Sequence, residues 1–305
     1  MALGTNNVTT TTAATFIPEI WSDEIVATYK KNLVLANLIK KMSFKGKKGD
    51  SVHIPAPIRG NASVKAASTQ VTLIAGTELE VVATIDQHYE YSRLIEDIVE
   101  AQALASLRNF YTEDAGYALA RQVDTSLIQL GRGVQGGNGT AAYNAGFSGA
   151  DGTTAYVAAA NTGLGALTDA AIRRSIQRLD DNDVPMDGRF LLVPPSTRNT
   201  LMGIARFTEQ AFVGEQGSAN TIRNGEIGNL YGIPVFVSSN CDTATGGARI
   251  ALLGHKDAAV LVEQQGVRSQ TQYKQEYLGT LYTADTLYGV KELRDNACFA
   301  LAVPA

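Results

Sequence analysis

The histidines are the residues best suited to chemistry, because imidazole titrates near neutral pH and is a common metal ligand. His53 and His88 flank a sequence that can form a β-hairpin, and a hairpin would bring them together. Asp86 or Glu90 would then complete a metal-binding or pH-sensing site. Two histidines supply too few ligands for a closed metal site, so we favour a surface pair.

The acidic run Asp180–Asp183 has the ligand type of a calcium-binding loop. With Asp181 as the first ligand, Met186 occupies the position that requires glycine, and Leu192 occupies the position of the bidentate acid. The spacing excludes this loop and favours a solvated helix C-terminus.

Sequences typical of enzymes are missing or stand in the wrong context. Gly131–Gly136 spells G-x-G-x-x-G and Asp151 follows at the distance of a ribose-binding acid, but the motif comes after a predicted helix instead of a strand. Gly46–Gly49 lacks both the spacing and the hydroxyl of a P-loop. No G-x-S-x-G supplies a serine nucleophile for His255. We therefore expect no enzyme activity and no cofactor.

A second glycine-rich stretch, Gly225–Asn240, also favours structure over ligand binding. A glycine loop binds phosphate when a helix N-terminus follows it, whereas here the β-rich run Pro234–Val237 follows. We interpret these glycines as positions where the backbone turns and packs closely.

Composition narrows the classes of partner. The net charge of -4 and the pI near 5.5 predict only weak, non-specific contact with DNA, because nucleic-acid binders are usually basic. Cys241 and Cys298 are the only cysteines, so reduced thiols are expected. Residues 1–15 lack the charge and apolar run of a signal peptide, and no apolar run is long enough to span a bilayer. We expect a cytosolic product without membrane contact.

The strongest pattern lies between Glu78 and Tyr91, where apolar and polar residues alternate. It predicts one half-buried strand of about 46 Å, well beyond the common strand length of about 17–20 Å. Ser51–Pro55 would pair with its far end, and 59–77 would form the hairpin tip. A projecting two-stranded ribbon is marginal by itself. We therefore expect its apolar face, which includes Ile85, to contact another copy of the chain.

Five lysines between Lys40 and Lys48 could bind phosphate or contact acidic residues within or between subunits. A solvated turn is the simplest interpretation. Together with the ribbon, this run gives the candidate subunit contacts, which are Lys45, Lys47, Lys48, Glu78, Glu80 and Ile85.

The remaining elements follow from periodicity and capping residues. Residues 1–15 are expected to form an extended or mobile arm, and a short helix follows from Ser22 to the lysine-rich run. The longest helical pattern runs from Leu104 to Gly131. Beyond it we expect a glycine-rich loop over 131–152, a helix that begins at Thr168 and Asp169, a strand at Arg189–Val193, a helix near Ser196–Ile204 and a strand at Val267–Tyr277.

This order of elements resembles the Hong Kong 97-type fold of tailed-phage major capsid proteins. The phrases that carry the resemblance are Ala118–Asp124, Val184–Pro194, Gly225–Ser239 and Tyr288–Arg294. The resemblance implies an α+β fold with an N-terminal arm and short helix (1–48) and an extended β-hairpin loop (49–91). It also implies a peripheral domain with a long spine helix and β-sheet (92–134 and 257–285), and an axial α/β domain (135–256, completed by 286–305).

The same resemblance implies a subunit that assembles as hexamers and pentamers into an icosahedral head enclosing double-stranded DNA. The implied partners are further copies of the chain, a portal, a separate scaffolding protein and a decoration protein. Assembly would take place in the host cytoplasm, and the product would be the virion. Two alternatives stay open: an encapsulin-like nanocompartment shell and an unrelated α/β enzyme.

Overall fold

The computed structural model describes residues 34–57, 60–71, 73, 78–98, 107–131, 144–156, 163–204, 228–241 and 248–305. Helices and strands are mixed over these residues, so the fold is α+β as expected. The strands form three sheets of four, six and two strands.

The four-stranded sheet combines strands from both ends of the chain. Its order is β1 (Lys40–Ser43), β10 (Ala259–Lys274), β11 (Gly279–Glu292) and β4 (Gln87–Glu96). β1 runs parallel to β10, and the other neighbours are antiparallel. The expectation that strands near both ends share a sheet is confirmed.

The six-stranded sheet forms the largest core. Its order is β5 (Asn144–Ser148), β12 (Cys298–Pro304), β9 (Ala248–His255), β6 (Arg189–Val193), β8 (Ile233–Val237) and β7 (Asn229–Leu230). Every residue of β6 is buried; after Arg189 the strand is the continuous apolar run Phe190–Val193, as is typical of a central strand. Two helices pack side chains into this core, namely α3 (Asp169–Asp181) and α4 (Pro195–Met202).

The long helix α2 (Leu107–Gly131) joins the two large sheets. Ala115 and Leu119 pack against Tyr282 and Ala284 of the four-stranded sheet. More than two turns after Leu119, side chains of the same helix, Leu127 and Ile128, enter the core of the six-stranded sheet. The predicted helix is confirmed over these residues, whereas Leu104 lies outside the described part of the chain.

The third sheet is the predicted hairpin, formed by β2 (Ser51–Pro57) and β3 (Glu78–Thr84). Its register pairs Ser51 with Thr84 and Pro57 with Glu78. The described residues between the strands, 60–71 and 73, are exposed and contain no strand, in agreement with the predicted tip.

The prediction of a single strand from Glu78 to Tyr91 is wrong. The strand is interrupted at Ile85 and Asp86, after which β4 pairs with β11 instead of continuing the hairpin. The Ile85 N–H donates to the carbonyl oxygen of Asp50 at 2.8 Å, and this bond marks the root of the hairpin. The hairpin is therefore much shorter than the predicted ribbon.

Other boundaries also differ from the predictions. The beginning of the lysine-rich run is strand β1 and not the end of the predicted short helix; the described helical part is only α1 (Leu35–Leu38). The predicted loop over 131–152 contains β5, and β10 begins at Ala259 and ends at Lys274. The predicted helix from Ser22 lies outside the described residues.

One local prediction is confirmed in detail and a second in part: Gly232 turns the backbone as predicted, but a Cβ atom at Gly228 or Gly232 would meet nothing within 4 Å, so close packing is not borne out at these two glycines. The Thr168 hydroxyl caps α3 by accepting a hydrogen bond from the Ala171 N–H at 3.2 Å. In the second glycine-rich stretch, Tyr231 and Gly232 have φ values of 53° and 79°. They form the two-residue turn between β7 and β8, and such a turn needs a positive φ at both positions.

Candidate subunit-contact surface

The apolar face of the hairpin is covered only at its root. Ala83 is fully buried, Val81 is half-buried and Leu79 is 55% exposed. Val260 and Val262 of β10 form a cluster with Ala83, and no described residue gives Leu79 comparable cover. The cross-strand partners of these residues, from root to tip, are Val52, Ile54 and Ala56. The distal half of the face is therefore an apolar surface without a partner in the described chain.

The opposite face of the hairpin carries a pair formed by a histidine and a glutamate. His53 Nδ1 lies 3.0 Å from Glu80 Oε2, and both side chains are 58% exposed. Such an exposed pair contributes little to stability, about 0–1 kcal/mol. Glu78 belongs to β3, but its side chain lies outside the described part of the structure.

The turn after β1 is fixed to β10 by one backbone hydrogen bond and by two that the Gln264 side chain donates. The Phe44 N–H donates to the Glu263 carbonyl oxygen at 2.8 Å. The Gln264 side chain donates to the carbonyl oxygens of Lys47 at 2.9 Å and of Gly49 at 3.0 Å. These bonds hold the connection between the four-stranded sheet and the hairpin.

The lysine side chains of this turn point to neighbours on their own chain or to solvent. Lys45 Nζ lies 3.6 Å from Glu263 Oε2. Lys47 Nζ lies 5.0 Å from the centre of the Phe44 ring, and Lys48 is exposed. Within the described residues, the acidic partner recorded for the turn is thus Glu263 and not Glu80. Contacts of these lysines with another subunit stay a prediction.

Ile85 has a different position from the one predicted. It is half-buried and packs against the small core that contains Ala83, Val260 and Val262. Its side chain therefore helps to attach the hairpin to its own subunit. A charge at this position would disturb the subunit itself, so Leu79 is the sharper probe of an intersubunit contact.

A polar network around Asp285 could not be anticipated from the sequence. Asp285 on β11 accepts hydrogen bonds from Arg268 Nε at 3.0 Å and Nη2 at 2.8 Å, and from Gln265 Nε2 at 2.8 Å. His88 Nε2 lies 3.2 Å from the same carboxylate. The Arg268 hydrogen bonds lower the pKa of Asp285 from its usual range. Because His53 pairs with Glu80, the two histidines do not form a shared site.

A second buried carboxylate, Asp124 on α2, joins three parts of the fold. It accepts hydrogen bonds from the Ala36 N–H and from Asn240 Nδ2, both at 3.2 Å. Burial raises the pKa of this carboxyl group. Its position within an apolar helical stripe, between Val123 and Leu127, is the sequence signal that could have revealed it.

The other acid–base candidates have structural partners. His255 is buried, its Nε2 lies 2.7 Å from the Asp187 carbonyl oxygen, and its Nδ1 accepts from the Asp257 N–H at 3.1 Å. Asp180, in the acidic run, accepts from Arg189 Nη2 at 2.7 Å. The described residues hold no group of three or more potential metal ligands. None of their helices is long and apolar enough to cross a membrane.

Comparison with known proteins identifies the family of the chain. A family model described as "Phage capsid protein" matches residues 78–295, which is more than half of the chain. The chain belongs to this phage capsid protein family. The capsid chain is therefore a structural protein of the virion. No curated protein sequence is significantly similar to it.

Solved structures agree with the family. The structure titled "Mycobacterium phage Che8" is 25% identical with a TM-score of 0.74, covering 94% of the capsid chain and 97% of the other. "Capsid structure of the Cyanophage P-SCSP1u" gives 21% identity and a TM-score of 0.75, covering 99% and 96%. "Asymmetric unit of bacteriophage PhiM1 mature capsid" gives 15% identity and a TM-score of 0.71, covering 94% of the capsid chain and 92% of the other. The similarity extends over nearly the whole chain, so the fold is that of a major capsid protein.

Proposed function

We propose that the chain self-assembles as hexamers and pentamers into an icosahedral phage head that encloses double-stranded DNA. The observation that carries the proposal is the uncovered distal face of the hairpin in a chain of the phage capsid family. Exposed apolar surface on a projecting ribbon favours a contact with another chain. In a shell of identical subunits, that chain is another copy.

The domain boundaries expected from the resemblance complete this proposal. The arm and short helix comprise 1–48, and the extended loop comprises 49–91. The peripheral domain comprises 92–134 and 257–285, and the axial domain comprises 135–256 with 286–305. Two observations support this division: β12 lies in the six-stranded sheet with the axial strands, and α2 packs on the four-stranded sheet. In that sheet β4 and β11 continue across the boundaries after residues 91 and 285.

The proposed contacts lie on the hairpin and at its root. The distal apolar face around Leu79 covers a neighbour, and the charged positions flank it. Burial of each apolar side chain supplies about 1.5–3 kcal/mol, so a shell gains its stability from many such contacts in sum. The charged contacts proposed with it are Lys45, Lys47, Lys48, Glu78 and Glu80; Ile85 contributes by anchoring the hairpin.

Further partners are proposed from the same fold. A portal, a separate scaffolding protein and a decoration protein would act with the chain during assembly in the host cytoplasm. Contact with packaged DNA would be weak and non-specific, because the chain has a net charge of -4 and strong counterion-release binding needs a basic surface.

Electron microscopy of the purified chain, expressed alone and with a scaffolding protein, tests the proposal. Closed shells are expected. Uniform small oligomers that turn over a substrate would contradict the shell function and support an enzyme. Shells isolated with a packaged genome support the phage head, whereas shells filled with an enzyme cargo would support a nanocompartment.

The role of the hairpin face is tested with Leu79→Asp. The side chain is 55% exposed, so the subunit should stay folded, but a buried charge at an intersubunit contact should prevent shell formation. Thr84→Asp is the matched control, because it adds the same charge to the same strand at an exposed position of the opposite face. Normal shells from Leu79→Asp would refute the assignment of this face.

A further inference from the structure

Asp124 lies where α2 passes from the four-stranded sheet to the six-stranded sheet. Its side chain is fully buried, between Leu119, which packs on the first sheet, and Leu127, which packs in the core of the second. Its recorded partners in the described chain are hydrogen-bond donors and not cations. An aspartate is almost never fully buried without a charged partner, because the ionised form loses its hydration.

The donors come from two segments that are distant from α2 in the sequence. The Ala36 N–H donates to Asp124 Oδ1 at 3.2 Å, and the backbone N–H groups of Leu35 and Val34 add to this contact. From the other side, Asn240 Nδ2 donates to Asp124 Oδ2 at 3.2 Å. One carboxyl group therefore attaches Val34–Ala36 and the segment that follows β8 to the same turn of α2.

The amide of Asn240 can serve both protonation states of this carboxyl group. Asn240 Oδ1 and Nδ2 lie 3.3 and 3.1 Å from Thr125 Oγ1, and a hydroxyl group both donates and accepts. Rotation of the amide by half a turn would therefore exchange its two atoms and keep the contact with Thr125. In the first orientation Nδ2 donates to ionised Asp124, and in the second Oδ1 accepts from protonated Asp124.

We propose that Asp124 couples the docking of Val34–Ala36 on α2 to the uptake of a proton. Burial favours the neutral acid while the segment is docked, whereas water stabilises the carboxylate when the segment lifts away. Burial accordingly raises the pKa of Asp124 in the docked state, and an aspartate in water titrates at about 3.9. Docking is therefore strongest below about pH 4 and weakens as the pH rises through the docked-state pKa.

The other ionisable side chains around the junction have constant charge or different partners. In the described part of the chain they are Lys41, Arg121, Cys241, Arg249, Glu263, Tyr288 and Glu292. Of these residue types, only glutamate titrates close to pH 4. Glu263 lies 3.6 Å from Lys45 Nζ, and Glu292 lies near Cys298. Replacing either glutamate with glutamine therefore controls for its titration.

Hydrogen exchange of the full, unassembled chain tests the proposal. The protection factors of the Leu35 and Ala36 amides, corrected for the pH dependence of intrinsic exchange, should fall several-fold from about pH 4 to about pH 7. In Asp124→Asn they should stay at the low-pH value, because this neutral side chain keeps an acceptor for Ala36 and offers a donor to the rotated Asn240 amide.

Matched variants should keep the profile of the wild type. Asp114→Asn makes the same change on the same helix, at a carboxylate that accepts from the Tyr91 hydroxyl at 2.9 Å. Glu263→Gln and Glu292→Gln remove the two glutamates near the junction. A profile that becomes flat in any of these three variants would assign the titration to that group and overturn the proposal.

The wild type alone also provides a decisive result. Protection that rises with pH would show that the ionised carboxylate holds the segment more strongly than the acid does, and would overturn the proposal. So would equal pH profiles in the wild type and in Asp124→Asn.

Asn240→Ala provides a second variant that leaves Asp124 in place. Without the rotating amide, protection at low pH should decrease and its pH dependence should shrink, because the protonated acid loses its acceptor. An unchanged profile would contradict the coupling through Asn240. All of these measurements use the subunit before assembly, so their outcome is separate from that of the proposed function.

Discussion

The six-stranded sheet and the hairpin are both built from β-rich sequence, but they differ in what covers them. All five residues of β6 are buried, and its neighbours β8 and β9 come from the same chain. In the hairpin, by contrast, the exposed fraction of the side chains rises from 0% at Ala83 to 55% at Leu79. The first region obtains its core from its own subunit, whereas the second leaves half of its apolar face uncovered.

The difference indicates where subunit folding ends and assembly begins. A two-stranded hairpin is marginal without a further layer, so the described hairpin depends on its root. There, Ala83 and Ile85 pack against β10, and β3 passes close to β11. The four-stranded sheet thus connects a self-sufficient core to a region that needs a neighbour.

The largest effect is expected from a cavity in the self-sufficient region. Leu192 is 0% exposed in β6, so Leu192→Ala should lower the free energy of unfolding by about 2–5 kcal/mol. Urea unfolding of the unassembled subunit measures the loss. Leu79→Ala is the matched control in the hairpin, where a much smaller loss is expected because the side chain is 55% exposed. Equal losses would remove the distinction between the two regions.

The second-largest loss of stability is expected in the four-stranded sheet, from a substitution at Asp285. Asp285→Asn removes the carboxylate charge that accepts the Arg268 hydrogen bonds and leaves an amide opposite the Gln265 donor. Because Arg268 is exposed to solvent, we expect the variant to lose less free energy of unfolding near neutral pH than a full core cavity does. Urea unfolding at pH 7 provides the measurement.

The pH dependence of that loss follows from the lowered pKa of Asp285. In the unfolded chain the carboxyl group titrates near 3.9, as an estimate for a free aspartate. The folded chain keeps it ionised to lower pH, so its stabilising contribution is complete above that value and is lost as the pH falls towards the folded-state pKa. The difference in free energy of unfolding between the wild type and Asp285→Asn should therefore shrink below about pH 4. A difference that does not change with pH would contradict the role of the charge.

The attachment of the hairpin can be disturbed at Gly289. A Cβ atom there would lie 2.1 Å from the Thr84 carbonyl oxygen, which belongs to the backbone and cannot move alone. Gly289→Ala should cost about 1–3 kcal/mol through overpacking and should displace the hairpin root. Gly228→Ala is the control, because its Cβ would meet no atom within 4 Å. Thermal unfolding of both variants measures the cost, and equal midpoints would show that the close approach of β3 to β11 does not constrain the fold.

Local patterns predicted much of this fold but not the partners of its strands. The period of α2 and the Thr168 cap are local signals, and the helices they predicted are present; the alternation around Glu78 is also local, and it predicted β structure but not the break at Ile85 and Asp86. The long-strand prediction failed because the alternation continues in phase through Ile85, although β3 pairs with β2 and β4 pairs with β11. Alternation reports which face is buried and not which strand lies alongside.

The candidate site shows the same limit. Hairpin pairing and the apolar face were predictable, because both depend on residues close in sequence. The packing of Ile85 on β10 and the binding of His88 to Asp285 join residues more than 170 positions apart. No local pattern contains that information, so the sequence placed both residues on a surface that the tertiary fold partly covers.

The smallest expected effect tests whether the two regions unfold as one unit. Gly116 lies in α2 above the four-stranded sheet, and a Cβ atom there would meet nothing within 4 Å. Gly116→Ala should therefore stabilise the helix by about 0.5–1 kcal/mol through backbone entropy alone. Since the other half of α2 lies in the core of the six-stranded sheet, calorimetry should show the whole transition shifted upwards if the sheets unfold together. A shift confined to an earlier, separate transition would show that the six-stranded sheet is stable without the sheet that carries the hairpin, and would sharpen the contrast between the two regions.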